Sequence, residues 1–329
     1  MTIDHDGSAS LRKSENPLGE AGPVLHFTGL VADLWAGRLR VDSGEPRTYL
    51  RLVSRSRVLP ALVLVLAVAA ALPGASAAQG GAPLAIVQAY CQPCITGISV
   101  VDASGGGARS LTRHAGWSDD TPAWSPDGRR VAFMRTKDAY RSFRLYVMNA
   151  NGRGVRRLTS GRFDQRPAWS PNGRWIAYES RRGIKLIHPD GSGARLIQGS
   201  AGAAWPSWAP TGKRVAFADD GWIWTADRDG SKRRQLTRGS DPDWSPDGRS
   251  LVYVVPNGGI ATIPATGGTS RSLGRGLQPD WSPDGKRIAF ARLAPTGRFS
   301  VWVMNADGSN RQLVKRGARS PAWRPVASP

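Results

Sequence analysis

The sequence predicts an all-β fold, a six-bladed β-propeller, from three observations on its second half. The first is the tripeptide Pro-x-Trp, whose copies lie 36 to 45 residues apart and end at Trp124, Trp169, Trp208, Trp244, Trp281 and Trp323. The second is a Ser/Ala-Pro-x-Gly turn and a short apolar run, which follow five of the six copies. The third is a further apolar strand that ends in a turn and recurs once per unit. A period near 40 with strands and turns, and no helical spacing, is typical of propellers.

The turn after each tryptophan has the chemistry of a tight hairpin. In Ser125-Pro126-Asp127-Gly128 the proline fixes φ, the aspartate hydrogen-bonds its own backbone, and the glycine accepts a positive φ. The preceding tryptophan is a large apolar side chain suited to the gap between neighbouring blades. The aspartates of these turns occur once per repeat, so we interpret them as turn residues and not as metal ligands.

The third strands fix the number of blades. They are predicted at residues 98–102, 145–149, 184–188, 223–227, 260–264 and 301–305. The first unit, about 83–112, has this strand but no Pro-x-Trp, whereas only six residues follow Trp323. We therefore expect the C-terminal segment to be the innermost strand of the first blade. Residues 83–325 would then form a closed ring of six blades.

The N-terminal residues indicate export. Arg55 and Arg57 precede an uncharged run from Val58 to Leu72, and Ala75-Ser76-Ala77 follows. This order describes a secretory signal peptide at 53–77, and the alternative is an uncleaved anchor that would tie the chain to a membrane. Residues 1–52 are expected to be disordered or untranslated, with translation starting near Val53. Both alternatives place the propeller outside the cytoplasm, as a secreted, periplasmic or cell-envelope domain.

Two cysteines, Cys91 and Cys94, lie between the second and third strands of the first blade. An even number of cysteines in an exported protein favours a structural disulfide. Free thiols are a second possibility, and metal or redox chemistry is a third. Redox chemistry lacks the βαβ context it usually needs.

The formal net charge is +20, and nearly all of it falls in the propeller. Such an excess favours an acidic partner. Many of the basic residues fall straight after the turn glycine, as Arg129 does, or two residues before the leucine of the fourth strand, as Arg109 does. At the outer blade edge long charged side chains block edge-to-edge pairing. Export and the lack of an aromatic-interleaved basic motif exclude nucleic acid from the expected partners.

No catalytic motif is recognisable. The chain lacks a Gly-x-Ser-x-Gly elbow after a strand, a His-Glu-x-x-His helix and a phosphate-binding loop. We therefore expect a protein that is not an enzyme and that has no cofactor and no metal. Carboxylates brought to the channel from different blades are the one catalytic arrangement that spacing leaves open.

The repeat resembles that of the TolB-type β-propeller family. The resemblance rests on residues 279–290, on Val-Met-Asn-x-Asp-Gly at 303–308 and on Arg-x-Leu-Thr at 109–112, and it covers about 83–325. It implies an exported, non-catalytic propeller that binds other proteins across one face. The protein that gives the family its name also carries an N-terminal α/β domain, which we expect this chain to lack.

Two functions compete on this basis. The first is a monomeric scaffold in the cell envelope that binds a protein or peptide. The second is a binder, or weak hydrolase or lyase, of an anionic wall polysaccharide. The expected binding surface is the rim shared by the loops that enter the inner strands and the loops that join second to third strands, because loops on a rigid scaffold commonly carry function. Its candidate residues are His114, Trp117, Asp119, Asp120, Tyr140, Arg162, Asp164, Arg166, Trp205, Arg238 and Arg275.

Overall fold

The computed structural model describes residues 83–90, 95–112, 116–137 and 142–325, together with four two-residue strands nearer the N-terminus. The chain divides into two units, residues 1–75 and 76–329. In the first unit β1 (Thr2–Ile3) pairs with β2 (Ala9–Ser10), and β3 (Leu25–His26) pairs with β4 (Val31–Ala32). Several predictions lie outside the described residues: the signal peptide at 53–77, the Cys91–Cys94 disulfide, His114 and Tyr140.

The second unit consists of six four-stranded antiparallel sheets, the blades. Blade 1 contains β5 (Leu84–Tyr90), β6 (Ile95–Val101) and β7 (Arg109–Ser110). Blade 2 contains β8 (Ser118–Trp124), β9 (Arg130–Thr136), β10 (Phe143–Asn149) and β11 (Arg156–Arg157). Blade 3 contains β12 (Gln165–Trp169), β13 (Ile176–Ser180), β14 (Gly183–Ile187) and β15 (Arg195–Leu196).

The other three blades repeat the same order of strands. Blade 4 contains β16 (Ala204–Trp208), β17 (Arg214–Asp219), β18 (Trp222–Asp227) and β19 (Arg234–Arg238). Blade 5 contains β20 (Ser240–Trp244), β21 (Ser250–Val255), β22 (Gly259–Pro264) and β23 (Arg271–Arg275). Blade 6 contains β24 (Leu277–Trp281), β25 (Arg287–Leu293), β26 (Phe299–Asn305) and β27 (Gln312–Arg316).

The last strand, β28 (Ala318–Trp323), closes the ring. It pairs with β5 of blade 1, with Trp323 opposite Leu84 and Ala318 opposite Gln88. The predicted six-bladed propeller with a closing C-terminal strand is therefore confirmed. The described residues contain no helix long and apolar enough to cross a membrane.

The hydrophobic core is divided among the contacts between blades. Trp124 packs with Ile98 of blade 1 and Phe133 of its own blade 2. Trp208 is placed in the same way between blades 3 and 4, where it meets Ile184. The tryptophans therefore fill the gaps between neighbouring blades, as predicted, and burying such a side chain is among the largest hydrophobic contributions available.

The turns and the outer arginines hold neighbouring segments together. Ser245 Oγ and the backbone N–H of Arg249 both donate to Asp247, and these hydrogen bonds lower the pKa of that carboxyl. Arg109 of β7 donates to the carbonyl of Ala150 in the next blade at 3.2 Å. Arg156, Arg271 and Arg311 likewise bond to carbonyls of neighbouring blades. The interpretation of these arginines as solvated edge residues was incomplete, because their planar guanidinium groups also link the blades.

Candidate functional site

The six inner strands enclose a channel with a cavity of about 280 Å³. Each inner strand contributes the residue before its proline, and we call these six the pre-proline ring. Its members, from blade 2 round to blade 1, are Thr121, Arg166, Trp205, Asp241, Gln278 and Ser320. No two of these residues are the same type, although the backbone around them repeats.

The proline of Pro-x-Trp creates this ring. Proline has no N–H to give to the ladder, so it is tolerated in a sheet only at edges and bulges. Every inner strand breaks register at this point, as between Gln165 and Ala168 in blade 3. All six pre-proline residues have φ between 45° and 53°. This conformation costs a non-glycine residue about 1 kcal/mol or more, and it is held identically in every blade.

Four ring positions are joined by hydrogen bonds that run from blade to blade. The backbone N–H of Gln278 donates to Asp241. The backbone N–H of Ser320 donates to Gln278 Oε1 at 3.0 Å, and Ser320 Oγ donates to Asp120 Oδ1 at 2.9 Å. Asp120 also accepts the backbone N–H of Thr121 at 2.7 Å. The polar side chains from blade 5 through blades 6 and 1 to blade 2 therefore satisfy one another.

The remaining part of the ring is organised differently. Arg166 stacks over the Trp205 ring at 4.6 Å and donates to Glu179 Oε2 at 2.8 Å. All three side chains are half-buried. The Thr121 hydroxyl has no hydrogen-bond partner among the described residues. This side of the channel thus presents a cation and an indole ring, with the Thr121 hydroxyl buried beside them.

A second ring lies one residue after each proline, and we call it the post-proline ring. Its members, from blade 2 round to blade 1, are Ala123, Ala168, Ser207, Asp243, Asp280 and Ala322. Ser207 Oγ accepts the backbone N–H of Trp244 at 3.2 Å. Asp243 and Asp280 accept the corresponding N–H groups of Trp281 and Trp323, at 2.9 and 2.7 Å. These three side chains join blade 4 to 5, blade 5 to 6 and blade 6 to 1.

The surroundings of three channel carboxyl groups disfavour their ionised form. Burial raises the pKa of Asp241 to about 7, although the positive charge of Arg166 opposes the change. Burial also raises the pKa of Asp243, and burial together with the charge of Asp243 raises that of Asp280. A buried carboxylate favours its neutral form, and nearby like charges add to the effect. Within the described part of the chain no three His, Cys, Asp or Glu side chains are grouped as metal ligands are.

Several of the predicted rim residues lie away from the channel. Asp119 is buried and makes a two-point ion pair with Arg135 at 2.6 and 2.9 Å inside blade 2. Asp164 is also buried, and its burial raises its pKa. Arg162 is exposed in the connection before β12. Trp117 lies near the rim, with Arg135 5.7 Å from the centre of its ring.

Two rim predictions were wrong about the connection between blades. Arg238 and Arg275 were expected in loops that enter an inner strand. Both residues instead end outer strands, β19 and β23, and a single glycine follows each of them before the next blade. Arg238 lies over the Trp222 ring at 4.7 Å on the outside of blade 4. The outer strands of these two blades continue to within one residue of the next inner strand, so there is no loop between them.

The structure brings together three predicted residues, Asp120, Arg166 and Trp205, around the channel mouth. It adds Asp241, Gln278, Ser320 and the two carboxylates of the post-proline ring, which the sequence analysis missed. A signal was available for them. The copies of Pro-x-Trp read Pro-Ala-Trp three times, Pro-Ser-Trp once and Pro-Asp-Trp twice. A charged residue at a repeat position that is otherwise Ala or Ser marks Asp243 and Asp280 as places where the ring departs from its symmetry.

Comparisons with known proteins agree with this architecture. Residues 97–260 match the family model of the TolB β-propeller domain. The Tol-Pal system protein TolB 1 of Novosphingobium aromaticivorans is 38% identical over 63 residues, which are 19% of this chain. The chain spans only 14% of the length of that relative. The resemblance to TolB-type propellers is therefore confirmed for the repeat domain.

Solved structures share the fold. The TolB crystal structure from Acinetobacter baumannii superposes with a TM-score of 0.67 at 19% identity, covering 88% of this chain and 82% of that one. A chain of the nidogen/laminin complex superposes with a TM-score of 0.61 at 13% identity, covering 74% of this chain and 98% of that one. At these identities the likeness concerns the propeller architecture alone.

Proposed function

We propose that this protein is a non-catalytic scaffold of the cell envelope, supported by the match of residues 97–260 to the family model of the TolB β-propeller domain. In this proposal it binds a protein or peptide at the channel mouth, on the side of Arg166 and Trp205. The name of the Novosphingobium relative, which places that protein in the Tol-Pal system, supports an envelope role. The signal-like segment at 53–77 supports export.

The proposal rests on a difference between the two sides of the pre-proline ring, in what their side chains contact. The side chains of Asp241, Gln278 and Ser320 are hydrogen-bonded to neighbouring blades, whereas Arg166 and Trp205 stack on each other and keep partly exposed surfaces at the cavity. Tryptophan and arginine are the residue types most enriched at binding hot spots, because both combine large contact area with polar contacts. The stacked pair is also held in place by Glu179, so little further ordering is needed when a partner binds.

The channel carboxylates fit a scaffold better than a catalyst. Asp243 and Asp280 each accept a backbone N–H of the following blade, so their oxygens are used in joining blades. A general acid or base needs an oxygen within hydrogen-bond reach of a substrate proton. The proposal therefore assigns these aspartates to the architecture.

Site-specific photocross-linking in the native cells tests this proposal. A photoreactive residue in place of Trp205 is expected to capture one protein, and adding Arg166→Ala is expected to reduce the yield about tenfold. Matched positions are Arg238, on the outer edge of the same blade, and Lys213, at the opposite end of the channel; neither should capture that protein. Equal capture at all three positions would contradict a defined site at the mouth.

A further inference from the structure

Exposed acids are scarce at the end of the propeller that holds the Arg166–Trp205 mouth, and we call this end the mouth rim. Seven acidic side chains are exposed among the described residues, and six of them lie in turns at the opposite end. Those six are Asp127, Asp190, Asp229, Asp247, Asp284 and Asp307. Of the described acids at the mouth rim only Asp220, in the turn between β17 and β18, is exposed. Exposed negative charge is therefore concentrated at the end away from the mouth.

The other acids of the mouth rim are engaged inside the propeller. Glu179 pairs with Arg166 at 2.8 Å, and Asp219 makes an ion pair with an arginine of its own blade at 2.9 Å. The two acids of β8 are also paired with arginines. Burial raises the pKa of Asp164, and it raises that of Asp241 to about 7, so both favour the neutral form more than a solvated carboxyl does. These side chains therefore offer little free negative charge at the surface.

Blade 3 brings four arginines to this rim, and we call them the arginine cluster. Its members are Arg162, Arg166, Arg181 and Arg182. Arg162 lies just before β12, and Arg181 and Arg182 form the turn between β13 and β14. The guanidinium carbon of Arg181 is 5.9 Å from the centre of the Phe163 ring, next to Arg162 in the chain. These three arginines are exposed, and none has an ion pair among the described residues.

The mouth rim is lower on the side of the arginine cluster. Counted from the residue opposite the inner-strand tryptophan, the second strand pairs with the third over five residues in blades 3, 4 and 5. The same count is six in blades 2 and 6 and seven in blade 1. The turn that follows has two residues in blade 3, five in blade 6 and six in blade 2. A ligand therefore has open access to the cluster, and the rim as a whole is uneven.

We propose that the arginine cluster binds an acidic segment of the protein partner, whose carboxylates pair with Arg162, Arg181 and Arg182. This inference rests on the proposed function and adds the chemistry of the partner. The planar guanidinium group binds a carboxylate through two parallel hydrogen bonds. Arg166 covers one face of the Trp205 ring, which also packs against the core of blades 4 and 5. Little flat surface therefore remains for a sugar ring to stack on, and an uneven rim matches a flat bilayer poorly.

Titration of the full chain with a fluorescently labelled glutamate decapeptide tests the proposal. The parent is compared with R162Q/R181Q/R182Q and with R129Q/R174Q/R249Q, which removes the same charge from exposed positions at the other end. At a salt concentration of about 0.15 M the Debye length is about 8 Å, less than the roughly 17 Å that a five-residue strand spans between the two ends. An oligogalacturonate with as many carboxylates and phosphatidylglycerol vesicles are the polysaccharide and lipid probes. Melting temperatures verify that each variant is folded.

We expect R162Q/R181Q/R182Q to weaken binding of the glutamate peptide at least about tenfold, and R129Q/R174Q/R249Q to weaken it less than about twofold. Equal losses in both triples would overturn the proposal in favour of net charge alone. Tighter binding of the oligogalacturonate or of the vesicles than of the peptide, lost in the cluster triple, would overturn it in favour of a polysaccharide or a membrane.

Photocross-linking from position 205 separates this inference from the proposed function. We expect capture of the cellular partner to fall about tenfold in R162Q/R181Q/R182Q. Capture at the parental yield in this triple would overturn the acidic partner and leave the binding site at the mouth in place. Absence of capture by the parent would instead contradict the proposed function.

Discussion

The channel wall has two arcs that share one backbone and differ in how neighbouring blades are joined. The braced arc runs from blade 4 through blades 5, 6 and 1 to blade 2, and polar side chains cross every contact between its blades. Examples are Asp280, which accepts the N–H of Trp323, and Asp120, which accepts from Ser320. The open arc, at blade 3 and its two contacts, has Ala123 and Ala168 at the equivalent positions.

This difference separates the part of the channel wall whose side chains join blades from the part that holds the proposed binding site. The braced arc includes the contacts on both sides of blade 1, where the chain closes the ring without a covalent link between β28 and β5. Buried polar groups that satisfy each other hold such a contact in register. The open arc is joined by its apolar core, by Arg156 at the outer edge and by Trp208 Nε1, which donates to the carbonyl of Ala168 at 3.1 Å. The side chains of Arg166 and Trp205 stack on each other there. We infer that the ring departs from sixfold symmetry in two places. One is the set of blade contacts that close the ring, and the other is the proposed binding site at Arg166 and Trp205.

Removing the closing strand should have the largest effect, because it breaks the braced arc at its centre. Deletion of residues 319–329 takes away β28 and buried Trp323. Loss of a core tryptophan side chain alone costs about 3–5 kcal/mol, against a usual margin of about 5–15 kcal/mol. We expect the shortened protein to aggregate or fail to fold, as measured by circular dichroism and gel filtration. Deletion of 326–329 alone is the control and should leave the melting temperature within a few degrees.

The charge of the braced arc should make stability depend on pH. The pKa of Asp241 is raised to about 7, and those of Asp243 and Asp280 are raised as well. The folded chain therefore holds protons that the unfolded chain releases near pH 4, so the free energy of unfolding falls as pH rises from about 4 to about 7. We expect D243N/D280N to recover on the order of 1–3 kcal/mol at pH 8, measured by urea unfolding.

A turn aspartate provides the control for this pH dependence. The pKa of Asp247 is lowered by its hydrogen bonds, so it titrates below the range in question. Asp247→Asn should leave the slope between pH 5 and pH 8 unchanged. If D243N/D280N and Asp247→Asn give the same slope as the parent, the channel carboxylates do not carry the effect.

The repeat itself made most of the fold predictable. The number of blades could be counted from the copies of Pro-x-Trp and of the turn glycine. The closing strand could be predicted because the first unit lacks Pro-x-Trp and the last copy has no unit after it. The site was harder to predict because its geometry depends on a bulge that brings different blades together. Trp205 and Arg166 could be placed at the rim, but their stacking, and the link from Gln278 to Ser320, join residues about 40 positions apart. Arg238 was expected in a loop and instead ends strand β19, because the length of an outer strand depends on its pairing partner, which the repeat does not specify.

One paired measurement tests the difference between the two arcs most directly. R166A/W205A from the open arc and Q278A/S320A from the braced arc are compared for thermal stability and for capture of the envelope partner. We expect R166A/W205A to lose capture at least about tenfold and to melt only slightly lower, because Trp205 is partly buried against the core of blades 4 and 5. We expect Q278A/S320A to keep capture but to melt about 5 °C lower, since two hydrogen-bond partners in the channel wall are lost. Loss of capture in Q278A/S320A with full retention in R166A/W205A would mean that the open arc does not hold the binding site.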